Sequence, residues 1–252
     1  YEAISTRSLP LSPSFSLQAA FSSSTSPQSH TISEAISTEQ SETLAVFGAT
    51  GQTGRYVVKI ALEELGWQVK ALARTPSKLV IEHANLTVIE GDFSNSDAIR
   101  ETVQGCSRVI CCGGGPHSNT KYPKRFMSKF VREELWPAIK ESKPKSMLFQ
   151  AGTLSKVHRF PTFSQVVAAP MMGLWPMAKD NDAVLRYIHK NPLQSTGVVC
   201  TRPGWLSDGK GGSKVKASKF PNQLPIAFVD LARFNLEAVL DEKIFGKNPY
   251  VR

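Results

Sequence analysis

The first residues whose spacing can do chemistry are Gly48-Ala49-Thr50-Gly51-Gln52-Thr53-Gly54, entered from the apolar run Leu44-Ala45-Val46-Phe47 and followed by a segment of helical period. Strand, glycine turn and helix in that order make an anion cradle. Gly48 permits the tight turn, Gly51 lets the backbone approach a pyrophosphate, and Gly54 lets the helix pack close to the strand. The anion then faces N–H groups that the helix itself cannot pair. Ala49, Thr50, Gln52 and Thr53 complete the surface that would touch it.

Downstream positions say which dinucleotide. Arg74 follows the second apolar run, where a domain built for NAD usually carries Asp or Glu for the ribose hydroxyls. A guanidinium there, helped by Ser77 or Lys78, suits a 2′-phosphate through charge-assisted hydrogen bonds, so NADP is the expected cofactor. Asp92 and Phe93 follow the third run and are expected beside the adenine. Asp92 either accepts from the adenine amino group or caps the turn that it starts. Cys112-Gly113-Gly114-Gly115-Pro116 closes the fourth run, and backbone without side chains admits a flat ligand, so Gly113 and Gly114 are expected under the ribose and nicotinamide.

These positions need a scaffold that alternates short apolar runs with helical segments, the pattern of repeated βαβ units. Strands are expected at Thr43 to Phe47, Gln68 to Ala73, Leu86 to Glu90, Val109 to Cys112, Ser146 to Gln150 and Gly197 to Thr201. Helices are expected near Arg55 to Leu65, Ser96 to Val103, Arg125 to Lys140, Asp180 to His189 and Phe228 to Leu240. Strand cores that are apolar throughout fit burial on both faces. The expected fold is α/β, a Rossmann-like doubly wound parallel sheet with a small C-terminal lobe. It would occupy residues 43–252, behind a disordered or transit-like extension over residues 1–42.

Phe47 to Gly54, with Ala73-Arg74, Gly91-Asp92 and Thr201-Arg202-Pro203-Gly204, resembles the atypical short-chain dehydrogenase/reductase group, nearest to NmrA-like proteins and flavin or biliverdin-type reductases. The resemblance covers Thr43 to Arg252 and implies an NADP-binding domain with a small lobe over the nicotinamide. Such enzymes generally use Ser or Thr after the fifth strand and a Tyr-x-x-x-Lys pair, in which the lysine lowers the tyrosine pKa. Here the fifth strand runs into Gln150-Ala151-Gly152-Thr153, so the hydroxyl is either missing or displaced to Thr153. The pair is matched by Trp175-Pro176-Met177-Ala178-Lys179, and an indole donates no proton at neutral pH. Lys179 either holds the nicotinamide ribose or opens the solvated face of the next helix. His117 and His158 are loop imidazoles that can supply a proton, with Tyr122 behind them. Hydride transfer to a stacked flavin or similar acceptor needs proximity more than an acid, and so survives the loss.

Two functions follow as expectations. The preferred one is an NADPH-dependent reductase of a flavin, quinone or similar planar acceptor. The alternative is an inactive NADP-binding scaffold or assembly subunit of an organellar complex, docking through residues 160–178, a Met-rich and aromatic stretch suited either to an interface or, under the first function, to the inner wall of a pocket that covers a planar substrate.

Composition narrows the classes further. The 252 residues are 41% hydrophobic and 20% charged, ordinary for one large globular domain. The net charge of +9 is dispersed, and its local concentration, Lys210, Lys214, Lys216 and Lys219, has no interleaved aromatics, so nucleic acid is not the expected partner. Those lysines lie in a Gly-rich loop that either attracts an acidic substrate or keeps itself soluble. Cys106, Cys111, Cys112 and Cys200 have neither zinc nor disulfide-framework spacing, so no metal is expected. No apolar stretch reaches the roughly 20 residues of a membrane span. Ser8 to Ser33 is Ser-rich without an acidic residue, and the chain begins with Tyr1. This fits a processed organellar protein, plastid before mitochondrion, with a plain disordered tail and a cytoplasmic location as the alternative.

Overall fold

The computed structural model describes residues 42–114, 123, 125–155, 167, 173–221 and 224–252. Strands β1 (Thr43–Phe47), β2 (Gln68–Ala73), β3 (Leu86–Glu90), β4 (Arg108–Cys111), β5 (Ser146–Gln150) and β6 (Gly197–Pro203) are joined by α1 (Gln52–Glu63), α2 (Ser96–Val103), α3 (Phe126–Lys129), α4 (Trp136–Ser142) and α5 (Trp175–Lys190). Strands β7 (Leu206–Ser207), β8 (Ala217–Ser218) and β9 (Ile226–Ala227), helix α6 (Phe228–Ala238) and β10 (Tyr250–Val251) follow. The main sheet has the order β3-β2-β1-β4-β5-β6-β10-β8. All its pairings are parallel except β10 with β8. Among the described C-terminal residues, β10 and β8 extend this sheet and β7 pairs with β9 beside it.

Burial on both faces of the sheet explains why the strands are apolar throughout. Along β1, Ala45 and Phe47 enter one core with Phe130, Trp136 and Met147, while Leu44 and Val46 enter the other with Val57, Leu148 and Leu231. The chain runs outward from β1 to β3 and then crosses back to β4, so the strand order reverses between β1 and β4. Ligands of open α/β sheets bind at such a switch point, outside the carboxyl ends of the strands.

The expected elements are all present, but several ends differ for identifiable reasons. Helix α1 starts at Gln52, not Arg55, which puts the end of the glycine turn into its first turn. β4 is one residue earlier than expected, and β6 runs on to Pro203. α5 starts at Trp175 instead of Asp180, because Pro176 lies in its first turn, where a missing N–H breaks no helical bond. The single helix expected from Arg125 to Lys140 is α3, a π-helical stretch Phe130–Leu135, and α4. Pro137 cannot donate back along that helix, a local cause for the change in pattern. Arg125, at φ 57°, precedes α3, whose N-terminus is capped from α5: Met127 N and Ser128 N donate to the buried Asp180 carboxylate at 2.7 and 3.1 Å.

Glu42, assigned by sequence to the N-terminal extension, belongs to the folded body. It is 5% exposed, and its carboxylate accepts from Arg108 Nη2 and Lys145 Nζ, both at 3.1 Å, and from Ser107 Oγ. Arg108 Nη1 also donates to Ser146 Oγ and Val239 O, each at 3.0 Å. One buried cluster thus ties the amino ends of β1, β4 and β5 to the end of α6.

Candidate functional site

The glycine turn closes with Gly51 N donating to Gly48 O at 2.9 Å, and Gly48 sits at φ 81°, which L side chains rarely adopt. A Cβ on Gly54 would lie 2.1 Å from Gly48 O, so α1 rests directly on the turn. One on Gly48 would lie 2.6 Å from Gly113 N, so the loops after β1 and β4 also touch backbone to backbone. At the α1 N-terminus, Gly51 supplies no side-chain cap and the helix's own first turn holds no acid to face the positive end of the dipole. Thr50, Gly51 and Gln52 are exposed there, whereas Ala49 and Thr53 are buried. These features fit an anionic group approaching from solvent.

Beneath the turn lies a polar network that the sequence reading missed. Gln150 Nε2 donates to Thr53 Oγ1 at 3.4 Å, Asn235 Nδ2 donates to Gln150 Oε1 at 2.8 Å, and Thr201 Oγ1 donates to Asn235 Oδ1 at 3.2 Å. It joins α1, β5, α6 and β6. The available signal was a lone amide, Asn235, on an otherwise apolar helix face. Asn235→Leu strands the buried Thr201 and the half-buried Gln150, and we expect it to lower the free energy of unfolding by roughly 1–3 kcal/mol, read as a lower urea midpoint at unchanged m. An unchanged midpoint would show that the network carries no stability.

At the ends of β2 and β3, Arg74, Glu90, Asp92, Ser94, Asn95 and Asp97 surround an open cleft of about 610 Å³. Arg74 is exposed, and so is Lys78, in the 3-10 turn Pro76–Lys78. Asp92 does what the turn-cap alternative foresaw: its Oδ1 accepts from Ser94 N at 2.8 Å and Ser94 Oγ at 2.6 Å. The hydrogen bonds from Ser94, with the nearby charge of Arg74, hold its carboxyl below the usual range.

Phe93, half-buried at the end of β3, packs against the helical connection. Its ring stacks on Phe130 at 4.1 Å and 13°, and a Cβ on Gly113 would lie 2.5 Å from it. Gly113 is therefore bare for the Phe93 ring, as Gly48 is for the Gly113 backbone. Gly114 is exposed at the lip.

At the end of β5, Thr153 N donates to Pro203 O at 2.8 Å, and Thr153 Oγ1 is buried without a hydrogen-bond partner among the described residues. Asn181 of α5 lies beside Gly152, which brings the helix bearing Lys179 to the same end of the sheet. Lys179 is exposed, and its Nζ stands 4.8 Å from the centre of the Trp175 ring, a cation–π pair at i, i+4. The lysine therefore stands over the Trp175 indole.

Arg202 of the Arg-Pro-Gly run is turned to structure. Its guanidinium lies 3.7 Å from the Tyr250 ring centre, and Nε donates to Asn248 O at 2.9 Å. His117, His158, Tyr122 and Gly115 lie outside the described residues, as does most of residues 160–178. Burial pushes the Cys106 thiol to about 11 and those of Cys111 and Cys200 to about 12, so none of the three is a thiolate nucleophile at neutral pH. Among the described residues no cluster of His, Cys, Asp and Glu could hold a metal ion, and no helix is long and apolar enough to cross a membrane.

Comparison with known proteins agrees with this geometry. The oxidoreductase GME11367 of Pestalotiopsis microspora is 25% identical over 215 residues, spanning 79% of this chain and 80% of its own. Among solved structures, ChuY, an anaerobillin reductase from Escherichia coli O157:H7, has a TM-score of 0.64 at 14% identity over 83% of this chain and 96% of its own. A short-chain dehydrogenase/reductase from Veillonella parvula in complex with NADP gives 0.63 at 14% identity over 84% and 94%. At such identities these two structures share the fold. A family model described as NAD(P)H-binding matches residues 48–242, from the first glycine of the turn to the end of the last βα unit, and the chain belongs to that NAD(P)H-binding family.

Proposed function

We propose that the protein is an NADPH-dependent reductase of a planar acceptor such as a flavin, a quinone or a linear tetrapyrrole. The observation that carries this is the α1 N-terminus, uncapped by any side chain or acid, standing over the Gly48 turn with Arg74 at the end of the neighbouring strand. Gly48 to Gly54 would hold the pyrophosphate, and Arg74 with Lys78 the 2′-phosphate. Thr153, Gly114 and Lys179 would border the nicotinamide. When bound, NADPH supplies a hydride. The chain's own part is orientation: no phenol stands at the Trp175 position, so the acceptor must be one that takes hydride without a tyrosine acid. The name of ChuY adds support for a flat tetrapyrrole-like acceptor.

Fluorescence titration tests the cofactor. NADPH is expected to bind below roughly 10 μM, near −7 kcal/mol, with NADH much weaker. Arg74→Ala should weaken NADPH by about ten- to a hundredfold, the equivalent of one charged hydrogen-bonded contact, while leaving NADH nearly unchanged. Equal losses for both nucleotides would remove Arg74 from the 2′-phosphate. Steady-state NADPH oxidation with flavins, quinones and biliverdin tests the reaction. Rates equal to the buffer blank with every acceptor would favour the second reading, an NADP-binding scaffold within an organellar complex, which the Trp175–Lys179 pair supports.

A further inference from the structure

Among the described residues, five large hydrophobic side chains are exposed, and three of them, Trp205 at 55%, Phe220 at 71% and Leu224 at 72%, fall within twenty residues of chain. Lys210, Lys214, Lys216 and Lys219 lie in the same stretch, all exposed. Its one acid, Asp208, is 3.5 Å from Arg55.

The fold gathers these residues at one rim. Ile226 N donates to Trp205 O at 2.9 Å, which sets Trp205 beside the chain that leaves Leu224. β8 pairs with β10 and β10 with β6, so Ala217, Val251 and Pro203 stand side by side across two strand spacings, roughly 10 Å. Lys216 and Arg252 exchange backbone hydrogen bonds at 2.6 and 3.0 Å, and Lys219-Phe220 continues directly from β8. The lysine loop is anchored, since Gly212 N and Ser213 N donate to the buried Asp230 carboxylate at 2.8 and 3.1 Å.

We propose that this rim is a peripheral docking surface for an anionic lipid bilayer, with Trp205, Phe220 and Leu224 entering the headgroup boundary and Lys210, Lys214, Lys216, Lys219 and Arg252 facing the phosphates. Exposed aromatic and aliphatic tips among cations are the chemistry of interfacial binding, where buried apolar area and charge attraction add. Four lysines separate Trp205 from Phe220 along the chain. A bilayer surface accepts apolar tips among cations, whereas the core of a protein interface is depleted in charge. The rim lies at the carboxyl end of β6, the same end of the sheet as the Gly48 turn. The proposal does not depend on the reductase reading.

Co-sedimentation of the full chain with vesicles tests it. Wild type is expected to pellet with phosphatidylcholine vesicles containing phosphatidylglycerol, to stay soluble with phosphatidylcholine alone, and to be released by 0.5 M salt. The partition coefficient should fall at least tenfold in Trp205→Ser/Phe220→Ser/Leu224→Ser and in Lys216→Glu/Lys219→Glu, with thermal unfolding and NADPH affinity as in wild type. As an independent readout, anionic vesicles should shift tryptophan emission to the blue in wild type but not in Trp205→Phe. Absence of wild-type binding to anionic vesicles would overturn the proposal, as would equal binding by the variants. A wild-type dimer that the triple serine variant converts to monomer, without vesicle binding, would overturn it in favour of a second copy of this chain.

Discussion

Gly54→Ala is expected to lower NADPH affinity by about a hundredfold or more, near 2.7 kcal/mol. The added methyl would sit 2.1 Å from Gly48 O and 2.8 Å from Gly48 C, both backbone atoms that no rotamer change can move. Relief requires α1 to lift from the turn, which spreads the N–H groups and withdraws the helix end from the anion. The same overlap should destabilise the fold by roughly 1–3 kcal/mol. Gly51→Ala separates the two effects. Its Cβ would be 3.1 Å from Gly48 O at an ordinary φ of −78°, and Gly51 is exposed on the lip. It should therefore keep the wild-type urea midpoint and still bind NADPH less tightly. Wild-type affinity in Gly54→Ala would mean that the turn does not hold the nucleotide.

Glu42→Gln is expected to remove roughly 3–5 kcal/mol of stability at neutral pH, because it takes the buried carboxylate charge away from the Arg108 guanidinium and the Lys145 ammonium that it pairs with. Burial alone would raise the Glu42 pKa, but hydrogen bonds from Ser107 and Lys145 and the charge of Arg108 carry it below the ordinary value of 4.5. A carboxylate with a lowered folded pKa contributes stability that is complete above the unfolded pKa and disappears as the pH falls through the folded one. The gap between wild type and Glu42→Gln should therefore be constant at neutral pH and narrow progressively as the pH falls below the ordinary carboxyl value of 4.5 toward the lowered folded one. Urea denaturation of both proteins across that range measures it. A gap that stays open in acid would assign the loss to packing instead of charge.

How far the sequence could be read depended on the range of the interactions involved. The ends of β1, β2, β3, β5 and α2 match the expectation residue for residue. Apolar runs bounded by turn residues are local signals, and Asn95 caps α2 by accepting from Ala98 N. The start of α5 was read too late because Pro176 looks like a breaker when its position in the first turn is unknown. Roles that require a distant partner were less legible. Phe93 carries no mark that Phe130, across a helical connection, will take its ring, and Arg202 none that Tyr250 will stack beneath it.

The sequence by itself determined the βαβ scaffold, the anion-binding turn and a cation where NAD-binding domains carry an acid, since each is encoded in residues adjacent along the chain. Tertiary structure alone decided that Glu42 belongs to the core, that Asn235 and Gln150 support the turn from below, and that Lys179 faces an indole. It also gathered Trp205, Phe220 and Leu224 on one lysine-lined rim. Those outcomes depend on which strands become neighbours and which side chains lose water there, and the order β3-β2-β1-β4-β5-β6-β10-β8 is set by packing the whole chain at once.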